Sequence, residues 1–485
     1  MGKGNVFLVG AGPGDTGLIT VKGLEAIKGA EVILYDRLAN PKLLEFASPE
    51  CELIYCGKLP DRHVLRQEMI NSLLVEKALE GKTVVRLKGG DPGVFGRVGE
   101  EAEALAEHGI CYTIVPGISS GIAAPVYAGI PVTHREFGES FAVVTAHDKS
   151  KDGHPDLDWK SLASGIDTIA FYMGISNLPF ICENLVKHGK PSATPVILIQ
   201  WGTFGRQKTL EGTLGDIAEK ASSEHFSNPA ITLVGEIVSL RGKLSWFEKK
   251  PLFGRQAIVA RTGTAESSLA MEMTSQGADV IEFPKWKRSR VEPNQDILDT
   301  LSGYQRILFT SPESAGEFFD ILIEEEMDIR SVKADLFGCS TKSVDALKKR
   351  GFRAEPESRM SSAGRLLIVG DTSMVDRPEY KHSEQFITSK KEIDWNYMEI
   401  FIRMIDEAEV NTLIFPSAAS VRAVMEAGIK NKIIPSDLLD KAELVALGEK
   451  TALALKEYGL KADIVPAAPT KEALVESLQN SLNRI

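Results

Sequence analysis

The chain has 485 residues, 43% hydrophobic and 25% charged, with 42 glycines and 23 prolines. This ordinary globular composition excludes collagen, a disordered tail and a coiled coil. One core rarely grows past about 250–300 residues, so more than one domain is expected. The net charge is −11, from 26 basic and 30 acidic residues up to position 250 and 30 and 37 beyond it. A general nucleic-acid binder would carry a basic excess, and neither half does. An anionic substrate would have to be met by a local cluster of Arg and Lys.

The five cysteines, Cys51, Cys56, Cys111, Cys182 and Cys339, form no C-x-x-C pair, so neither a disulfide framework nor a zinc site is indicated. Cys51 and Cys56 bracket a strand-like run and read as buried strand residues. The longest apolar stretches, such as Ile122–Val132, are too short and too rich in Pro and Gly to span a bilayer. Lys3 leads into VFLVGAGPGD, a first strand and loop rather than a signal peptide. A cytoplasmic protein is expected.

Val6–Val9, Val32–Tyr35, Leu53–Tyr55, Val84–Leu87 and Tyr112–Val115 read as buried strands, with helical stretches at Leu18–Lys28 and Arg66–Leu79. Such alternation argues for a parallel sheet. A second block, 136–247, has strands near Phe141–Thr145, Thr168–Tyr172, Val196–Ile199 and Ala230–Val234. FEKKPLFG at 247–254 has little pattern and reads as a linker, placed at 248–254. A third block opens on the strand Ala257–Ala260 and contains a repeat. Arg306–Leu322 resembles Thr412–Glu426, and Leu336–Glu355 resembles Ala446–Asp463. Two similar strand-loop-helix units imply two similar lobes.

The loop GAGPGD at 10–15 follows a strand and opens a helix, where a nucleotide-like ligand sits in a doubly wound sheet. The third Gly of a G-x-G-x-x-G fingerprint is absent and Asp15 stands in its place. A carboxylate at a helix N-terminus competes for the pyrophosphate position. This argues against an NAD-dependent oxidoreductase and for a ligand without phosphates, such as S-adenosylmethionine. Tyr35-Asp36-Arg37, Gly57-Lys58, Lys88-Gly89-Gly90-Asp91-Pro92 and Pro116-Gly117-Ile118-Ser119-Ser120 end the next four strands. Together they predict a ligand cleft at one sheet edge.

VGAGPGD at 9–15, LYDRL at 34–38, VRLKGGDP at 85–92, VPGISS at 115–120, AGIPVTHR at 128–135, YMG at 172–174 and NPAITLVGEIV at 228–238 resemble the uroporphyrinogen-III C-methyltransferase family over about residues 4–247. The resemblance implies the α/β tetrapyrrole methylase fold: an N-terminal lobe, 1–135, and a C-terminal lobe, 136–247, with S-adenosylmethionine between them. Carried over by position, the cofactor contacts are Pro13, Gly89, Gly90, Asp91, Val94, Ser119, Ser120, Met173, Gly202 and Ala230. The proton-transfer pair falls on Asp36 and Lys58, with a structural salt bridge as the competing reading for Asp36 and carboxylate binding for Lys58. Arg97 and Arg135 could meet substrate carboxylates, and the family implies a homodimer through this half. Gly93 and Val98 depart from the family's usual Phe and Gly.

Residues 255–485 carry no catalytic cysteine signature, P-loop or metal spacing. FTS at 309–311, GCST at 338–341, FPS at 415–417 and GEKT at 448–451 offer hydroxyls and helix N-termini, for carboxylates or for simple capping. The pattern resembles uroporphyrinogen-III synthase, which implies two flavodoxin-like lobes and no cofactor. One lobe would comprise 255–290 plus 386–485, the other 291–385. Implied substrate contacts are Arg261, Thr310, Ser311, Gly338, Thr341, Ser417 and Thr451, with Tyr380 the nearest candidate for a family acid. Ala260 and Pro416 depart from the family pattern. The polar stretch after GRLLIVGD has no pattern, so a βα unit is expected to be missing and the middle lobe shortened.

The leading expectation is a bifunctional enzyme that cyclises hydroxymethylbilane to uroporphyrinogen III and methylates it twice to precorrin-2, for sirohaem or cobalamin. The alternative is an active methyltransferase with a degenerate, non-catalytic synthase-like binding module.

Overall fold

Short runs of Val, Ile and Leu between glycine-rich loops build the first sheet of the computed structural model, which describes residues 2–57, 66–146, 153–374, 380 and 382–482. Its strands are β1 (Asn5–Gly10), β2 (Val32–Tyr35), β3 (Glu52–Tyr55), β4 (Val84–Lys88) and β5 (Cys111–Val115). They lie in the order β3-β2-β4-β1-β5 and every pairing is parallel. All five strand C-termini therefore leave the same edge. Cys56 is buried beyond β3, whereas Cys51, expected to be buried too, is only half-buried, at the turn before the strand.

The second sheet holds β6 (Phe141–Thr145), β7 (Thr168–Tyr172), β8 (Pro195–Gln200), β9 (Lys208–Thr213) and β10 (Ala230–Val234), in the order β6-β7-β10-β8-β9. It is mixed: β6 and β7 are parallel and the other pairings antiparallel. Strand β9 had no counterpart in the sequence reading, because KTLEGT is polar and lies half-exposed on the sheet edge.

The chain then builds β11 (Gln256–Ala260) and β12 (Asp279–Phe283), followed by β13 (Trp286–Arg290), β14 (Arg306–Phe309), β15 (Asp335–Gly338), β16 (Ala354–Pro356), β17 (Leu366–Asp371) and β18 (Glu384–Ile393), and ends with β19 (Thr412–Phe415) and β20 (Glu443–Ala446). A four-stranded sheet has the order β12-β11-β19-β20, and a six-stranded sheet the order β13-β18-β17-β14-β15-β16. Two compact units result. One comprises Met1–Ala260, Glu266–Phe283 and Glu399–Ile485, and the other Arg261–Ala265 and Pro284–Met398.

Three expectations change here. The segment thought patternless contains the ten-residue strand β18, parallel to β17 and antiparallel to β13. Its polar residues are tolerated because much of the strand is only half-buried. The lobe boundaries move as well: β13 and β18 pair inside the six-stranded sheet, so both belong to the middle lobe rather than to the lobe assigned 255–290 plus 386–485. The stretch at 248–254 is packed, with Leu252 fully buried in the core beside β11.

The internal repeat is a repeat of structure. After β14, Ser311 caps the helix Pro312–Glu324 in a reciprocal capping box with Ser314. After β19, Ser417 caps Ala418–Val424 with Ser420 in the same way. Each box satisfies helix N–H groups that have no intrahelical partner.

Candidate functional site

At the common edge of the first sheet the loop after β1 is zipped to the loop after β4. Gly90 N donates to Gly12 O at 2.7 Å, and Ala11 N to Lys88 O at 2.7 Å. Gly10, Gly90 and Gly117 meet there: a Cβ on Gly10 would lie 2.6 Å from Gly117 N and 2.7 Å from Gly90 O. Only glycine permits that approach. Asp91 joins the third loop, its carboxylate accepting from Gly93 N at 2.7 Å and Gly117 N at 3.0 Å. Gly89 sits on the same loop, and Pro13 and Val94 are half-buried on the loops so joined.

Asp15 is a cap. Gly17 N donates to its Oδ1 at 2.8 Å, and the Tyr127 hydroxyl to its Oδ2 at 2.6 Å. Burial first, then the hydrogen bond and charge of Asp15, push the Tyr127 phenol above its ordinary range. The carboxylate thus caps the one-turn 3₁₀ segment Thr16–Leu18, and the helix expected from Leu18 starts at Val21 instead, with Thr20 as its own cap.

The second sheet contributes its own loops. Asp15 N donates to Thr203 Oγ1 at 2.9 Å, tying the opening loop to the segment holding Gly202. Tyr172 OH lies 2.6 Å from Ser119 Oγ, beside the start of the helix Ser120–Tyr127. Met173, Trp201, Thr203, Phe95 and Arg97 all have left-handed backbone, with φ of 55°, 49°, 75°, 55° and 58°. Such backbone costs about 1–3 kcal/mol per residue and gathers at functional sites. Met173 is 44% exposed despite its size. Ala230 opens β10 opposite Gln200, one residue before Trp201. Most of the carried-over cofactor positions therefore lie on loops, with Ser120 opening a helix and Ala230 a strand.

Asp36 directly follows β2 and Arg86 lies in the adjacent β4. Arg86 Nη2 is 2.5 Å from Asp36 Oδ1. Arg86 Nε and Lys88 Nζ both reach Glu101 Oε1, at 3.1 and 2.6 Å. Burial opposes the Arg86 charge, but Asp36 and Glu101 outweigh it and hold the group above its ordinary value. Burial, then Arg86, depresses Lys88 against the pull of Glu101. The salt-bridge reading of Asp36 holds in part: Arg86 is a partner, while the neighbouring Arg37 pairs with Glu407. Arg86 and Glu101 were missed, although a cation inside the apolar run VVRLK is itself a sign of a buried pair. Lys58 lies outside the described residues. Arg97 pairs with Glu100 at 2.5 Å, and Arg135 is exposed.

In the middle lobe, Thr310 and Ser311 line a cavity of about 210 Å³ with Thr262, Gly263, Thr264, Arg288, Glu313, Asp371, Ser373 and Lys391. Arg288 is held by Asp371 and Glu317, each at 2.9 Å. None of these last three was anticipated, because they come from strands and a helix far apart in sequence. The Arg261 guanidinium is turned onto the Gly263 and Ala265 carbonyls of its own loop. Gly338 ends β15, where a Cβ would press on Val344 N at 2.8 Å, and Thr341 opens the following helix behind its cap Ser340. Ser417 is a helix cap, and Thr451 is buried within the helix Glu449–Glu457. Tyr380 does not fit an acid in an open site. It is 5% exposed in a core cluster with Leu308, Phe337, Ile368 and Met374, its hydroxyl 3.3 Å from Cys339 Sγ.

Comparison with known proteins agrees with this layout. Residues 5–218 match the Tetrapyrrole (Corrin/Porphyrin) Methylases model, and residues 386–484 the Uroporphyrinogen-III synthase HemD model. A Uroporphyrinogen-III C-methyltransferase of Bacillus subtilis is 48% identical over 466 residues, covering 95% of each chain. The Porphyrin biosynthesis protein HemD of Ruminiclostridium josui is 34% identical over 502 residues, 99% of this chain and 98% of its own. A Uroporphyrinogen-III C-methyltransferase of Priestia megaterium is 60% identical over 236 residues, 49% of this chain and 99% of its own. Among the described residues no helix is long and apolar enough to cross a membrane. The chain belongs to the S-adenosylmethionine-dependent uroporphyrinogen-III C-methyltransferases and carries a C-terminal domain of the uroporphyrinogen-III synthase HemD family.

Proposed function

We propose that the first half methylates uroporphyrinogen III twice, giving precorrin-2, and that the second half cyclises hydroxymethylbilane to uroporphyrinogen III. The observation that carries the first reading is Asp36, 31% exposed, with one oxygen held by Arg86, at the same sheet edge as the Gly10–Gly90–Gly117 cradle. That set of loops fits S-adenosylmethionine: Gly10, Gly90 and Gly117 let three loops close on one another at the sheet edge, which brings the positions carried over from the family onto adjoining loops. Pro13, Gly89, Gly90, Asp91, Val94, Ser119, Ser120, Met173, Gly202 and Ala230 would hold the cofactor. When bound, it supplies a methyl group on a sulfonium sulfur.

The protein's part is orientation and proton handling. Fixed loops hold the reacting centres in line, the largest lever available for a direct displacement. Asp36 Oδ2, with no partner among the described residues, accepts the proton that leaves the methylated ring. Lys58 is assigned to return a proton or to bind a carboxylate. Arg97 and Arg135 meet substrate carboxylates pairwise. A homodimer through this half is supported by exposed Ile122, Val126 and Trp246 and by the edge strand β5, which exposes Tyr112 and Ile114. Purified protein given uroporphyrinogen III and methyl-labelled S-adenosylmethionine should yield a dimethylated product. Absence of transfer overturns the assignment.

For the second half, the hydroxyl-lined cavity with Arg288 and Lys391 supports the synthase reading. Folding a flexible polyanion needs binding groups more than a sharp catalytic motif. The non-catalytic reading is favoured by Arg288 being already claimed by Asp371 and Glu317. Full-length protein given hydroxymethylbilane decides between them: the type III isomer supports the synthase, and type I alone the binding module.

A further inference from the structure

One helix of the lobe built around β11, β12, β19 and β20, Met398–Glu407, grips both sequence neighbours of Asp36. The Arg403 guanidinium lies 5.0 Å from the Tyr35 ring centre and 4.0 Å from that of Tyr55. Tyr35 is buried. One turn further on, Glu407 accepts a hydrogen bond from Arg37 Nε at 2.7 Å. Residues four apart share a helix face, so a single face reaches across to the loop on either side of the carboxylate. The same Glu407 is 3.9 Å from Arg206, whose guanidinium stacks on Trp201 at 4.2 Å, immediately before Gly202. The lobe thereby touches the acid-bearing loop and a cofactor loop together.

Stability alone does not account for this arrangement. A partly exposed ion pair contributes about 0–1 kcal/mol, and a cation over aromatic rings about 0.5–2 kcal/mol. Geometry is more sensitive, since a 1 Å misplacement at a reacting centre costs about 100-fold in rate. We propose that Arg403 and Glu407 are positioning residues for methyl transfer, so that the synthase-like half completes the methyltransferase site by fixing the backbone on both sides of Asp36. This rests on Asp36 lying at the reacting centre.

The test uses full-length Arg403→Ala, Arg403→Lys, Glu407→Arg, Arg37→Glu and the Arg37→Glu/Glu407→Arg double variant. Steady-state methyl transfer, S-adenosylhomocysteine affinity by calorimetry and unfolding midpoints are measured on each. Arg403→Ala and Glu407→Arg should lower kcat about 10- to 100-fold, with affinity for S-adenosylhomocysteine unchanged within about twofold. Arg403→Lys should recover most of the rate by keeping a cation on the rings, and the charge swap should recover what either single change loses. Wild-type kcat in Arg403→Ala and Glu407→Arg overturns the proposal, as does a loss of cofactor affinity and stability in step with rate. Asp36→Asn separates the two ideas. If it is inactive while the helix variants are fully active, only this proposal falls. If it retains wild-type rate, the assignment of Asp36 falls first.

Discussion

Arg86 reaches across from β4 to place Nη2 2.5 Å from Asp36 Oδ1, so a guanidinium that is 2% exposed steadies a carboxylate that opens toward solvent. Glu101 lies behind it, fully buried, and also holds Lys88. Removing one member of a buried set costs more than the set contributes, because a charge is left uncompensated. Arg86→Met should therefore lose about 3–5 kcal/mol of stability in urea unfolding. Asp36→Asn should cost only about 1 kcal/mol, since Arg86 keeps Glu101, while methyl transfer falls by about 10²–10⁴-fold. Equal destabilisation by the two changes would contradict this division of roles.

The glycine cradle makes a steric prediction. A Cβ on Gly10 would meet Gly117 N at 2.6 Å, backbone that cannot rotate aside. Gly10→Ala should cost about 1–3 kcal/mol through overpacking and abolish S-adenosylhomocysteine binding in calorimetry. Gly242→Ala has open space around its Cβ and should leave binding intact.

Tyr127 offers a titration. Its phenol is held above the ordinary value of 10.0 by burial and by donating to Asp15. A raised folded value means the contribution to stability is complete below pH 10 and falls as pH rises toward the folded value. The stability gap between wild type and Tyr127→Phe should be flat from pH 7 to about 9.5 and narrow above about pH 10. Denaturation curves across that range check it, and a gap that widens with alkali would refute it.

In the middle lobe, Tyr380 and Arg288 should behave oppositely. Tyr380 is packed among apolar side chains, so Tyr380→Phe should leave type III product formation within about twofold and cost about 1 kcal/mol, the value of one hydrogen bond. Arg288→Ala removes a cation from the cavity wall and should cut that activity at least about tenfold. A silent Arg288→Ala paired with an inactive Tyr380→Phe would reverse the assignment.

The two serine caps are a further check on the repeat. Ser311→Ala and Ser417→Ala each remove a side-chain acceptor from a helix start, and each should cost about 1 kcal/mol. No change in the unfolding midpoint of either variant would refute their role as caps.

Much of this was readable before any coordinates. The strands of the first sheet fall within a residue or two of the apolar runs; β2 and β4 are buried throughout, as a parallel strand covered on both faces requires, whereas the edge strands β3 and β5, expected to be buried too, are half-buried or exposed over most of their length. The loops carrying glycine and acid fall where those strands end, and a parallel sheet sends all of them to one edge. Strands β9 and β18 escaped because they are only partly buried and carry polar residues, so their place was set by neighbours rather than by their own pattern.

What local residue order already contained was the alternation of strand and helix, the glycine- and acid-bearing loops at the strand ends, and the serine caps of the repeated units. What required the folded chain was every relation between distant charges: Arg86 with Asp36 and Glu101, Arg288 with Asp371 and Glu317, and Arg403 with Tyr35 and Tyr55. Backbone pattern is dictated within a few residues by sterics and burial. A charge finds its partner only when packing removes both from water, and that partner can lie anywhere along the chain.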